Sequence, residues 1–222
     1  MMRETIEKLR KETETTLRVL YALRQFRQLL TREEDVAKIN ENANFWMIYE
    51  SSLRTNMFIG IRRLYESKPG TFNFQQFIDE CIKNLVSFSP DALRQRKCEG
   101  SRNADEWIDD YMKNVYEPSA DDFKALAKLV RENSKNMKGT YTQAANKIYA
   151  HAIHMDYALM AAISDKLNFD EIEKAITSIW HAYEQVWQMF ENGRKPLLTI
   201  ADYPYAQEVI DSVTKQVRGN ET

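Results

Sequence analysis

The sequence predicts an all-α protein, folded as a single-domain antiparallel helical bundle with long helices at its amino terminus. Its 222 residues include 6 glycines and 5 prolines, too few for the frequent turns of an all-β fold. Apolar residues instead recur every three or four positions over long stretches, which is the period of an amphipathic helix. No internal repeat or shift in composition marks a domain boundary. We therefore expect one domain over residues 1–222, with a core of about 8–195 and a short helical appendage over about 197–222.

Two long helices are predicted within the first 65 residues. The first covers about residues 3–30. Thr31, followed closely by two acidic residues, marks the start of the second, which should run to about Tyr65 and end at the turn 67–70. Because almost no residues separate these helices, they should be antiparallel neighbours or one long bent helix. Their apolar stripes consist of Ile6, Leu9, Leu17, Leu20, Leu23 and Leu30 in the first helix, and of Trp46, Tyr49, Leu53, Met57, Ile61 and Leu64 in the second.

Six further helices are expected, separated by a less regular stretch over residues 87–104. Asn192 and Gly193 should cap the carboxyl end of the longest late helix. Trp180, Tyr183, Trp187 and Phe190 form a stripe with core spacing on that helix, whereas His181 falls on a polar face and should be exposed. The six helices are predicted over about 73–86, 105–116, 119–136, 140–164, 168–191 and 205–217.

Composition excludes several classes of function. The formal net charge is −2, so no overall field attracts nucleic acid or anionic lipid. Any polyanion must be bound by a local patch, and the densest basic run is Arg94 to Arg102, whose favoured interpretation is a solvated loop. Cys81 and Cys98 are too few for a disulfide framework and should be reduced thiols, Cys81 buried. The charged amino terminus lacks a signal peptide, and no apolar run could span a membrane. We expect a cytoplasmic protein.

The segment from Ala145 to His151 is the most informative for function. On a helix, Lys147, His151 and His154 would share one face, with Asn146 to one side. Histidine exchanges a proton near neutral pH, and a phosphoryl transition state needs a cation or amide donor where negative charge develops. This set of residues could therefore supply general acid–base catalysis at a phosphate.

The sequence from Asn146 to His151 resembles the signature of HEPN domains in the abortive-infection U-type branch, Arg-Asn-Lys-x-x-Ala-His-x-Asp. The resemblance spans about residues 8–195. It implies an all-α bundle that often dimerises. Many members are metal-independent ribonucleases, in which the motif Arg and His of two protomers line a shared cleft and the RNA 2′-hydroxyl attacks the adjacent phosphate. The upstream residues that resemble the second helix of that branch are Trp46, Tyr49, Leu53, Ile61, Arg63, Leu64 and Tyr65.

By this resemblance, His151 is the catalytic general acid–base and Asn146 the assisting polar residue. Lys147 and Arg63 are candidate binding residues. Ala145 stands where the family has arginine, and losing one such contact commonly costs about 10²–10³ in rate. Arg63 or Arg131 could supply the cation from a neighbouring helix. The family aspartate is also displaced: Ile153 stands at its position and Asp156 lies three residues further on.

The resemblance thus predicts a homodimer in a phage-defence or toxin–antitoxin type system that binds RNA or cleaves it as an endoribonuclease, without a metal or cofactor. The alternative is a catalytically inactive HEPN-like module, with the motif arginine replaced by Ala145, that binds RNA, a nucleotide or a partner protein. Two other interpretations stay open. His151 and His154 could be structural, or they could bind a metal ion completed by Asp156 or His181.

Overall fold

The computed structural model describes residues 2–66, 70–141 and 168–219. Within these residues the chain is helical and contains no β-strand, which confirms the predicted all-α class. The helix predicted over 140–164 lies almost entirely outside the described residues. Short 3₁₀ turns cover Leu85–Phe88 and Ala104–Glu106, and a π-helical turn covers Met137–Tyr141. The α-helices are α1 Met2–Leu29, α2 Glu33–Asn40, α3 Ala43–Tyr65, α4 Phe74–Lys83, α5 Pro90–Glu99, α6 Ile108–Met112, α7 Ala120–Asn133, α8 Phe169–Asn192 and α9 Ala206–Arg218.

Helices α1 and α3 are antiparallel neighbours, as predicted. One ion pair joins Arg27 to Glu50 at 3.2 Å, near the end of α1 and the start of α3. At the opposite end, Arg63 lies 3.3 Å from Glu12. The helices approach so closely between these pairs that a Cβ on Gly60 would lie 2.3 Å from Oγ1 of Thr16. The absence of a side chain at residue 60 therefore permits this contact.

The prediction of one continuous helix from about residue 32 to Tyr65 is wrong, because the chain breaks at residues 41–42 into α2 and α3. The ring of Phe26 stacks on Trp46 at 5.4 Å, which holds the start of α3 against α1. Asp35 instead accepts two hydrogen bonds of 2.8 Å from Arg218 in α9, which holds α2 against the last helix. The chain breaks between α2 and α3 because α2 is held against α9 and the start of α3 is held against α1.

Helix α8 lies at the centre of the bundle, where it contacts α1, α5 and α7. Three members of the predicted aromatic stripe, Trp180, Tyr183 and Phe190, are buried, which confirms that the stripe is core. The helix ends at Gly193, whose positive φ of 55° is the left-handed conformation expected of a glycine C-cap.

The prediction that His181 is exposed is wrong, since only 2% of this residue is accessible. After Gly193 the chain turns back along the polar face of α8. Nε2 of His181 donates a hydrogen bond of 2.8 Å to the carbonyl of Leu197, and the Leu197 N–H donates to Gln185 at 2.8 Å. Polar side chains on this face thus form hydrogen bonds with the backbone groups of an adjacent extended segment and do not face solvent.

Residues 87–104 are more regular than predicted, because they contain α5. Pro90 occupies the first turn, and Oγ of Ser89 accepts a hydrogen bond from the Ala92 N–H at 3.2 Å. This N-cap followed by proline is a sequence signal for a helix start. The region predicted as helix over 105–116 is correspondingly shorter and consists of a 3₁₀ turn and α6.

Helix α9 closes the bundle against α1 and α2. Its Val213 and Val217 are buried with Phe26, Leu29 and Ile39. The Cys81 side chain is fully buried in the main core, as predicted. None of the described helices is long and apolar enough to cross a membrane.

Candidate functional site

The predicted catalytic residues His151 and Asn146, together with Lys147, lie outside the described residues. So do Ala145 and the metal-ligand candidates His154 and Asp156. These residues all belong to the segment 142–167. The structure describes how the residues that flank this segment, Tyr141 and Asn168, are held.

A hydrogen-bonded anchor joins the two ends of the segment 142–167. The Asn168 N–H donates to the Tyr141 hydroxyl at 3.3 Å, and this hydroxyl donates to Glu171 at 3.2 Å. Asn136 also donates to the Glu171 carboxylate. Burial raises the pKa of Tyr141, so its hydroxyl keeps the proton that it donates. The two described residues that flank this segment, Tyr141 and Asn168, are therefore held together at the amino terminus of α8.

A cavity of about 320 Å³ lies between α3, α4 and the end of α7. Its lining includes Ser134 and Lys135, which lie two to three residues before the π-helical turn that ends at Tyr141. The described residues that line it are Leu64, Tyr65, Asn73, Phe74, Gln75, Ala127, Val130, Arg131, Ser134 and Lys135.

Two cations at this cavity are available to a ligand. Arg131 and Lys135 are exposed, and neither forms an ion pair with any residue in the described ranges. Arg63, the other candidate binding residue, is already paired with Glu12 at 3.3 Å and does not line the cavity. Of the two arginines considered as substitutes for the missing motif cation, Arg131 is therefore the one that forms no ion pair with another described residue.

The basic run from Arg94 to Arg102 is neither a solvated loop nor a free charged surface. Arg94 forms an ion pair with Asp109. Arg96 donates to the carbonyls of Ser87 at 2.8 Å and Phe190 at 2.6 Å, and burial lowers its pKa. The side chains of this run therefore attach α5 to α6 and α8.

His181, a candidate to complete a metal site with His151 and His154, uses its Nε2 for the Leu197 carbonyl at 2.8 Å. Its Nδ1 is buried and has no hydrogen-bond partner among the described residues. Within the described ranges, no group of three or more His, Cys, Asp or Glu side chains could hold a metal ion.

In a comparison with known protein families, residues 2–213 match the HEPN family model described as AbiU2. The chain belongs to this family. The match covers nearly the whole chain of this AbiU2 protein, including all the helices except the last residues of α9, and it confirms the resemblance inferred from the sequence. Membership suggests a role in phage defence that involves RNA. No curated protein and no solved structure matches the chain.

Sequence analysis did not identify Lys135 or the anchor around Tyr141. Lys135 lies in the turn after α7, so it and Arg131 both stand near the carboxyl end of this helix. Asn168 followed by two acidic residues is an N-cap signal for α8. Nothing in the sequence indicates that Tyr141 reaches that cap, because the contact spans 27 residues.

Proposed function

We propose that this AbiU2 protein cleaves RNA in a phage-defence or toxin–antitoxin type system, with His151 as the general acid–base and Asn146 as the residue that orients the phosphate or hydroxyl. The observation that carries the proposal is the family match over residues 2–213, which encloses the motif from Asn146 to His151. The anchor around Tyr141 supports it, because it fixes both ends of the segment that bears these residues.

The proposed reaction needs no metal ion. The 2′-hydroxyl of RNA attacks the adjacent phosphorus and loses its proton, while the bond to the 5′-oxygen of the next nucleotide breaks and that oxygen gains a proton. The products are a 2′,3′-cyclic phosphate and a free 5′-hydroxyl. An imidazole such as that of His151 can transfer these protons near neutral pH.

A second candidate function is that of an inactive AbiU2 module, which binds RNA, a nucleotide or a partner protein. Ala145 favours it, since alanine cannot neutralise the charge that develops on the phosphate. Two residues could act in place of the motif arginine. Lys147 lies on the same predicted helix face as His151, and Arg131 forms no ion pair with another described residue.

The proposal includes a cytoplasmic homodimer that pairs through the region of His151, as the resemblance implies. One feature of the described surface supports association with a second copy. Phe45, Met47 and Ile48 near the start of α3 are 60%, 63% and 68% exposed, and residues 42–49 carry no charge. Adjacent apolar side chains this exposed are typical of a protein contact surface.

The test is cleavage of total RNA by purified protein in the presence of EDTA. The wild type should give fragments that end in 2′,3′-cyclic phosphate. His151→Ala should abolish cleavage, whereas His154→Ala, a change of the same kind three residues away, should retain it. RNA that is bound but left intact by the wild type would favour the inactive module. Equal cleavage by wild type and His151→Ala would contradict the proposed mechanism.

A further inference from the structure

We propose that the cavity between α3, α4 and α7 binds a small organic anion with an apolar body, whose carboxylate or phosphate is held by Arg131 and Lys135. This inference does not depend on the proposed RNA cleavage. At about 320 Å³ the cavity falls at the lower end of the range for small-molecule sites, about 300–1,000 Å³.

The walls of the cavity favour an apolar body. Leu64, Tyr65, Phe74 and Val130 contribute side chains that belong to the core, and Ala127 adds a small apolar surface. An aliphatic chain or a flat ring placed against these walls would be removed from water, which is favourable by about 25 cal/mol for each Å² of apolar surface.

The neutral polar groups of the lining already use their hydrogen-bond donors. Nδ2 of Asn73 donates to the Glu66 carbonyl at 2.9 Å, and its Oδ1 accepts from the Gln76 N–H at 3.0 Å. The hydroxyl of Ser134 donates to the Val130 carbonyl at 2.7 Å. Neutral side chains are thus poorly placed to recognise a sugar or the edge of a base.

Two further lining residues follow the same pattern. The Tyr65 hydroxyl donates to the Ala175 carbonyl at 3.0 Å, and Nε2 of Gln75 donates to Asp79 at 3.0 Å. Recognition of a polar ligand group is therefore left to the charged donors Arg131 and Lys135.

The charges around the cavity favour an anion. No Asp or Glu is among its described lining residues, whereas Arg131 and Lys135 are both unpaired within the described part of the chain. The first two residues of α4, Phe74 and Gln75, also line the cavity, so the electropositive end of this helix borders it. A guanidinium and an ammonium together suit a carboxylate or a phosphate monoester.

The experiment is titration calorimetry of the purified full chain with two probes, decanoate and adenosine monophosphate, and their neutral counterparts, decanol and adenosine. We expect at least one anion to bind at least 10-fold more tightly than its neutral counterpart. Binding of decanoate alone would assign an apolar carboxylate, and binding of the nucleotide alone would assign a phosphate monoester.

Three variants locate the site. Arg131→Gln and Lys135→Gln should each weaken binding about 10-fold, since each removes one charge-assisted contact. Ala127→Leu, which fills the cavity and keeps both cations, should abolish it. Lys128→Gln is the matched control, because Lys128 is an exposed lysine of α7 that does not line the cavity.

The proposal is overturned if neither anion binds, or if binding is the same in Arg131→Gln, Lys135→Gln and the Lys128→Gln control. Its outcome is separate from that of RNA cleavage. Anion binding that persists in His151→Ala but is weakened in Lys135→Gln and lost in Ala127→Leu would assign the ligand to this cavity and not to the proposed catalytic histidine.

Discussion

Replacement of Gly60 by alanine should destabilise the protein through one contact, that between α1 and α3. The new Cβ would lie 2.3 Å from Oγ1 and 2.8 Å from Cγ2 of Thr16, whereas ordinary contacts begin near 3.4 Å. Thr16 cannot simply turn away, because its Oγ1 donates to the Glu12 carbonyl at 2.7 Å and its β-branch carries heavy atoms at two of three staggered positions.

The expected change in unfolding free energy on Gly60→Ala follows from two opposed effects. Alanine in place of glycine favours a helix interior by up to about 1 kcal/mol. Overpacking of a tight core contact costs about 1–3 kcal/mol. With both branch atoms of Thr16 in conflict, we expect the upper part of that range and a net loss of about 2 kcal/mol for Gly60→Ala. For a chain of this size the melting temperature should fall by about 4–8 °C.

The assay is thermal and urea unfolding followed by circular dichroism, for Gly60→Ala, Thr16→Ala and the double variant. In the Thr16→Ala background the same glycine change should cost at least about 1 kcal/mol less, because Oγ1 and Cγ2 are gone and only the Cβ of residue 16, at 3.0 Å, remains close. Gly139→Ala, where a Cβ meets nothing within 4 Å, is the control. Equal effects of Gly60→Ala in both backgrounds would refute the reasoning.

Three further predictions concern the ends of the bundle, the anchor and the exposed face of α3. Asp35→Asn should cost about 2 kcal/mol in urea unfolding at pH 7. The hydrogen bonds from Arg218 hold the pKa of Asp35 below its ordinary value. The stability that this ion pair adds is therefore present above pH ~4 and is lost at lower pH, as the carboxylate is protonated. A difference in unfolding free energy between wild type and Asp35→Asn that stays constant down to pH 2 would contradict this. Tyr141→Phe should lower RNA cleavage and increase amide exchange at Asn168, whereas Tyr116→Phe, which loses hydrogen bonds of 2.9 Å to Asp122, should leave both unchanged. If the start of α3 pairs two copies, Ile48→Lys should halve the mass measured by light scattering. Val86→Lys is the control and should leave the mass unchanged, because Val86 is 76% exposed but lies outside α3. An unchanged mass in Ile48→Lys would exclude the start of α3 as the contact surface.

The sequence predicts well those helices whose repeat of apolar residues determines which side is buried. Helices α1 and α8 bury the stripes expected of them, and Gly193 ends α8 where the pattern placed a cap. Leu30 is an exception: it continues the stripe of α1 but lies just beyond the helix and is 39% exposed. Local pattern thus fixes the body of a helix better than its end.

What the sequence does not predict depends on partners distant along the chain. The break between α2 and α3 reflects contacts of Asp35 with Arg218 and of Trp46 with Phe26. The burial of His181 depends on the segment around Leu197, which covers a face that is polar by composition. The anchor and the cavity likewise arise from pairs of helices, so no single stretch of sequence carries a signal for them.

The central proposal is that the AbiU2 motif acts on RNA through His151 and that the missing cation at residue 145 limits its rate. RNA cleavage in EDTA by wild type, Ala145→Arg and Ala145→Arg/His151→Ala tests it most directly. We predict that arginine at residue 145 raises the cleavage rate by about 10²–10³ and that loss of His151 removes this activity. No gain on Ala145→Arg, or full cleavage in the double variant, would contradict the claim.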